Sequence, residues 1–104
     1  MTGGIRMLFV LHATDGPDGA ERRNAHREAH VAYIAAQDAA GRIRFAGPLK
    51  DEAGKSNGAL IIFEAEDPDA ARAWVAGDPY VAGGVYSAWE VRAVVQAFPK
   101  LSVG

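Results

Sequence analysis

The sequence predicts an α+β domain, with two principal helices covering one face of a four-stranded antiparallel sheet. Three observations lead there. Runs of apolar, β-branched or aromatic residues recur four times at strand length, and two stretches free of glycine and proline interrupt them at helical spacing. Clusters of aspartate, glycine and proline separate the six pieces. The resulting order of strand, helix, strand, strand, helix, strand is the split βαβ pattern of a ferredoxin-like βαββαβ fold.

Each element has its own signal. Met7 to His12 is apolar and stops before the turn-rich Asp15-Gly16-Pro17-Asp18-Gly19, so it reads as a first, central strand. Ala20 to Ala40 lacks glycine and proline, is rich in alanine, and repeats Val31, Ile34 and Ala35 at helical spacing; Gly41 supplies the stop. Ile43 to Leu49 alternates, with Ile43, Phe45 and Gly47 on one face and Arg44 and Ala46 on the other, and ends at Gly47-Pro48. The polar segment Asp51 to Gly58 makes a hairpin connection to a third strand, Ala59 to Glu64. Asp67-Pro68 opens a second helix with a cap residue and proline at its first position, and Gly77 closes it. Asp78-Pro79 repeats that start for a short helical turn to about Gly83. Val85 to Ala97 then alternates as the last strand.

With 104 residues the chain can bury one core without staples, so a single domain over 1–104 is expected, with its core over 7–98 and a loose tail over 99–104. Helices on one side leave the other sheet face open. Apolar residues on both faces predict a homodimer that buries the open faces and borders a small-molecule pocket. A net charge of −2 gives no reason to expect nucleic acid or an anionic membrane as partner. The absence of cysteine excludes a disulfide framework, a thiol nucleophile and a thiolate metal site. The apolar run near the N-terminus is too short for a signal core or a membrane span, and a cytoplasmic protein is expected.

Chemistry concentrates in Asp78-Pro79-Tyr80-Val81-Ala82-Gly83-Gly84-Val85-Tyr86, which holds an acid, a helix start and two tyrosines. Its natural partner is His30, because imidazole can hold or release a proton under cellular conditions and a carboxylate can orient it. His26 and His30 stand four apart, a spacing that suits zinc, but Arg27 occupies the place where the metalloprotease motif needs glutamate. No third ligand is evident, so no metal and no cofactor are expected. The glycines form no phosphate-binding loop, and Ser56 and Ser87 lack a nucleophile elbow.

The chain resembles the YciI-related family, the YCII domain proteins of the dimeric α/β barrel superfamily, from Met7 to about Phe98. The resemblance rests on Met7-Leu8-Phe9-Val10, Arg27-x-x-His30, Gly47-Pro48-Leu49, Asn57-Gly58, and Asp78-Pro79-Tyr80 with Gly83 and Val85-Tyr86. It implies a catalytic histidine and aspartate at His30 and Asp78. Family relatives include a dehydrochlorinase of a chlorinated hydroxyhydroquinone, and the wider superfamily includes muconolactone isomerase. Glu28 departs from the pattern, where the family often carries proline.

A bland role stands beside each functional one. His30 can complete a helix face, and Asp78 can act as an ordinary helix cap; the cap role is compatible with orienting an imidazole. Arg27 either anchors an anionic substrate group or pairs with a surface acid. Tyr80 and Tyr86 line a pocket or fill the core, Gly47 and Pro48 end a strand or let backbone approach a ligand, and His12 faces the pocket or solvent. The expected activity is cofactor-free acid–base elimination or isomerisation of a small cyclic or aromatic compound, lyase-like or isomerase-like. The alternative is a dimeric, non-catalytic binding or regulatory domain; it is favoured if His30 and Asp78 stand beyond hydrogen-bond distance.

Overall fold

A computed structural model describes residues 6–100. The elements follow the predicted order: β1 (Met7–Asp15), α1 (Gly19–Ala39), β2 (Ile43–Lys50), β3 (Ser56–Ala65), α2 (Pro68–Ala76), the single turn α3 (Pro79–Ala82) and β4 (Tyr86–Val94). The strands form one antiparallel sheet in the order β2-β3-β1-β4. The fold is α+β and ferredoxin-like. Of the expected tail, residues 101–104 lie outside the described residues.

Alternation sorts the two central strands. Phe9, Leu11 and Ala13 of β1 and Ala59, Ile61, Phe63 and Ala65 of β3 are buried toward the helices. Ala71 and Val75 of α2 close over them, and Trp74 packs its ring 4.6 Å from that of Phe63. Asp67 caps α2 by accepting the Ala70 N–H at 2.7 Å, with Pro68 at the first helical position where its missing N–H costs nothing.

The second helix lies close on the sheet and the first does not. α2 packs on β1, β3 and β4, whereas α1 packs chiefly on α3. One contact sets that approach: Gly83 of the α3 end has no Cβ, and the His26 ring occupies the space where one would stand. Tyr33 adds a second tie by donating its hydroxyl to the Trp74 carbonyl at 2.7 Å. α1 thus stands off the β2–β3 half of the sheet, and a cavity opens beneath it.

Two expectations about the strands change. The even alternation predicted for β2 breaks at Arg44, an extra residue that leaves Ile43 opposite Phe63 but Phe45 opposite Ile62. Phe45 therefore turns to the open face with Ile62, while Ala46 and Pro48 move to the helix side opposite Ile61 and Ala59. The bulged Arg44 pairs with Glu64 of the neighbouring strand. The second change is length, since β1 continues to Asp15, β3 begins at Ser56, and β4 stops at Val94, short of the expected Ala97. Asp51 tightens the hairpin loop by accepting the N–H groups of Ala53 and Lys55, each at 2.9 Å.

Candidate active site

The cavity between α1 and the sheet has a volume of about 670 Å³, within the range that takes small-molecule ligands. α1 contributes Arg23, Arg27, His30 and Ile34. β2 contributes Ala46, Gly47 and Pro48, and β3 contributes Ala59 and Ile61. Tyr80 and Tyr86 form the end wall. The walls thus mix apolar side chains with polar and charged ones, Asp38, Lys50 and Ser56 joining Arg23, Arg27 and His30.

His30 and Asp78, 48 residues apart, meet at this wall: His30 Nδ1 lies 2.7 Å from Asp78 Oδ1. A carboxylate only accepts, so Nδ1 carries the hydrogen, and in the neutral imidazole the lone pair is then on Nε2. The same Asp78 Oδ1 accepts the Tyr80 N–H at 2.9 Å, so Asp78 caps α3 and holds His30 at once. At 1% exposure Asp78 is the buried acid of the fold, and no protein atom among the described residues bonds its Oδ2. The His30 ring stacks flat on Tyr80, with centroids 3.7 Å apart, and Tyr86 meets Tyr80 edge-on at 6.2 Å. Hydrogen bond and stack together fix the imidazole in plane and in position.

The other expected residues divide. Arg27 lines the cavity as an exposed residue, with no ion pair among the described residues. Gly47 and Pro48 lie on its wall, Gly47 through its backbone because the bulge turns it to the other face. His12 does not belong to the cavity. Strand alternation sends Leu11 and Ala13 to the helix side, and His12 stands exposed on the open face beside Thr14 and Glu90. His26 packs on Gly83 and does not line the cavity. Among the described residues no three His, Asp or Glu side chains gather as a metal site would require.

Sequence reasoning missed Arg23, which lines the cavity from the buried side of α1. Its Nε donates to Asp15 Oδ2 and its Nη2 to Asp15 Oδ1, both at 2.8 Å, and Nη2 also reaches the Gly58 carbonyl at 2.9 Å. The hydrogen bond that Arg23 donates to Asp15 raises the Arg23 pKa above its ordinary value against the opposing effect of burial. A signal was present: Arg23, Arg27, His30 and Ile34 are spaced four, three and four apart, a single helical stripe. Burial pushes the Tyr86 phenol well above its ordinary value; Asp78 adds to the shift and Arg23 opposes it.

The comparisons agree with this architecture. The model of the YCII-related domain family matches residues 7–95. The chain is 37% identical over 98 residues to protein YciI of Escherichia coli O6:H1, covering 88% of this chain and 100% of that one. It is 38% identical over 87 residues to an uncharacterized protein of Haemophilus influenzae, covering 78% of this chain and 89% of the relative. Among solved structures it is similar to a 5-chloro-2-hydroxyhydroquinone dehydrochlorinase from Burkholderia phenoliruptrix AC1100, determined in complex with 2,5-dihydroxybenzoquinone. The TM-score is 0.73 at 28% identity, over 83% of this chain and 91% of that one. A cofactor-independent oxygenase from Streptomyces nogalater shares the fold at a TM-score of 0.51 and 20% identity, over 91% of this chain and 98% of that one. Both neighbours have the dimeric α/β barrel fold. By the family match along nearly all of its described length, the chain belongs to the YCII-related domain family.

Proposed function

We propose that the protein is a small cofactor-free enzyme in which His30, oriented by Asp78, moves a proton on a small cyclic or aromatic substrate, giving elimination or isomerisation. The observation that carries this reading is the 2.7 Å contact between His30 Nδ1 and Asp78 Oδ1 on the wall of a cavity of ligand size. With Nδ1 donating to the carboxylate, Nε2 is the proton acceptor, and the imidazolium that forms is stabilised by the buried acid beside it. In an elimination, Nε2 takes a proton from substrate, the electron pair left behind moves into the ring system, and the leaving group departs as an anion. His30 then returns the proton to solvent.

The similarity to a dehydrochlorinase supports a hydroxylated, halogenated ring as the first substrate class to try, and 2,5-dihydroxybenzoquinone as a first ligand. The alternative of a non-catalytic pocket was favoured by a separated His30 and Asp78, and the contact between them supports catalysis instead. We also propose a homodimer joined through the open sheet face.

The test is chloride release from 5-chloro-2-hydroxyhydroquinone and related chlorinated phenols. Where the wild type turns one over, His30→Ala should lower the rate by about 100-fold or more while the protein stays folded and its oligomeric state is unchanged. A folded His30→Ala protein with wild-type turnover would overturn the reading.

A further inference from the structure

The cavity contains a second set of polar atoms that the His30–Asp78 pair does not use. Arg23 lies two turns before His30 on the same face of α1, and two strands hold its guanidinium. Asp15 from the end of β1 takes Nε and one Nη2 hydrogen, and the Gly58 carbonyl from the start of β3 takes the other. Gly19 leaves room for this arrangement, since a Cβ there would stand 2.6 Å from Asp15 Oδ2.

A guanidinium has five N–H donors. Three are committed in this clamp, and the two on Nη1 bond to no protein atom among the described residues. The guanidinium carbon lies 5.3 Å from the Tyr80 ring centroid and 5.9 Å from that of Tyr86. Tyr86 is itself 9% exposed, yet its hydroxyl is buried with no partner among the described residues. A buried hydroxyl without a partner is costly, on the order of 1–3 kcal/mol, and a ligand atom that satisfies it recovers that cost on binding. Because burial keeps the phenol protonated, it offers a hydrogen.

We propose that Arg23 Nη1 and Tyr86 Oη form an oxyanion subsite, which takes the deprotonated oxygen of a planar ring compound whose reacting atom faces His30. Resting on the catalytic reading of His30, this names the substrate class as an acidic phenol, bound as phenolate, or a ring carboxylate. Asp15 cancels the net charge of Arg23, so the subsite works by fixed, forked N–H donors and not by long-range attraction. The exposed Arg27 and Lys50 on the same cavity are less constrained, and Asp38 offsets part of their charge.

The test is calorimetric titration of wild type, Tyr86→Phe and Arg23→Lys with three probes. These are 2,5-dihydroxybenzoquinone, whose hydroxyls ionise at neutral pH, benzoate as a carboxylate, and hydroquinone as a neutral ring. Wild type should bind at least one anion more tightly than hydroquinone, and which anion binds assigns phenolate or carboxylate. Tyr86→Phe and Arg23→Lys should each weaken that anion by about ten-fold or more and leave hydroquinone unchanged. Should Arg23→Lys fail to fold, Tyr86→Phe, which leaves the clamp intact, decides. No anion binding to wild type, hydroquinone binding as tightly as the anions, or wild-type anion affinity in folded Tyr86→Phe would each overturn the subsite. His30→Ala keeps the two readings separate: it should retain anion affinity while losing turnover, and its full activity would remove the catalytic reading without touching the binding result.

Discussion

Asp78 serves two partners with one oxygen, capping α3 and holding His30. Asp78→Asn separates these duties. Its amide oxygen can still accept from Tyr80 and from Nδ1, so melting should stay within about 1 kcal/mol of wild type, while loss of the charge that stabilises the imidazolium should lower kcat by about 100-fold. Paired melts and turnover numbers check both parts. Tyr86 carries a pH dependence of its own. Its phenol is raised from an ordinary 10.0 by burial first, so the folded state keeps a proton that the unfolded chain has already released. That contribution to stability is complete below about pH 10 and is lost as pH rises further. Urea unfolding at about pH 9 and about pH 11 should show a loss in wild type that is smaller in Tyr86→Phe. His30 and Asp78 were legible because each stands in a short motif of restricted residue types. Arg23 shares a helical stripe with His30, but an arginine on a polar helix face looks like solvated charge until Asp15 and Gly58 are seen to surround it.

At the level of elements, the closeness of α1 to α3 depends on the missing Cβ of Gly83. In Gly83→Ala the new methyl would meet the His26 ring and stand 2.7 Å from the Pro79 carbonyl. The expected cost is about 1–3 kcal/mol in chemical denaturation, and trimming the ring in a His26→Ala background should recover part of it. A loss below about 0.5 kcal/mol would mean that the helices adjust freely. Helix starts and stops were readable because Asp67-Pro68, Asp78-Pro79 and Gly41 act through local backbone chemistry. The face of β2 was not. A single extra residue at Arg44 reverses the alternation after Ile43, and that bulge is fixed by pairing with β3 and by Glu64, which local periodicity does not contain. His12 stayed open between pocket and solvent for a related reason: once β1 runs on to Asp15, position 12 is mid-strand and alternation alone decides its face.

For the whole molecule, element order was legible in the spacing of turn residues, and a pocket was expected, but beside the joined open faces; it lies on the helix side instead, because α1 stands off the sheet. The face opposite the helices carries Val10 opposite Ile62 on the central strands and the exposed Phe45 on β2. If that face joins two copies, Val10→Lys should shift a wild-type dimer toward monomer in sedimentation velocity, with a folded chain by circular dichroism. A wild-type monomer at micromolar concentration would remove the proposed assembly. The central claim, that His30 itself carries the proton, is tested most directly by rescue. In the chloride-release assay, His30→Ala should be inactive alone and regain turnover in proportion to added imidazole, with its dependence on pH following that of the added base. Undiminished turnover by His30→Ala without imidazole would contradict the mechanism.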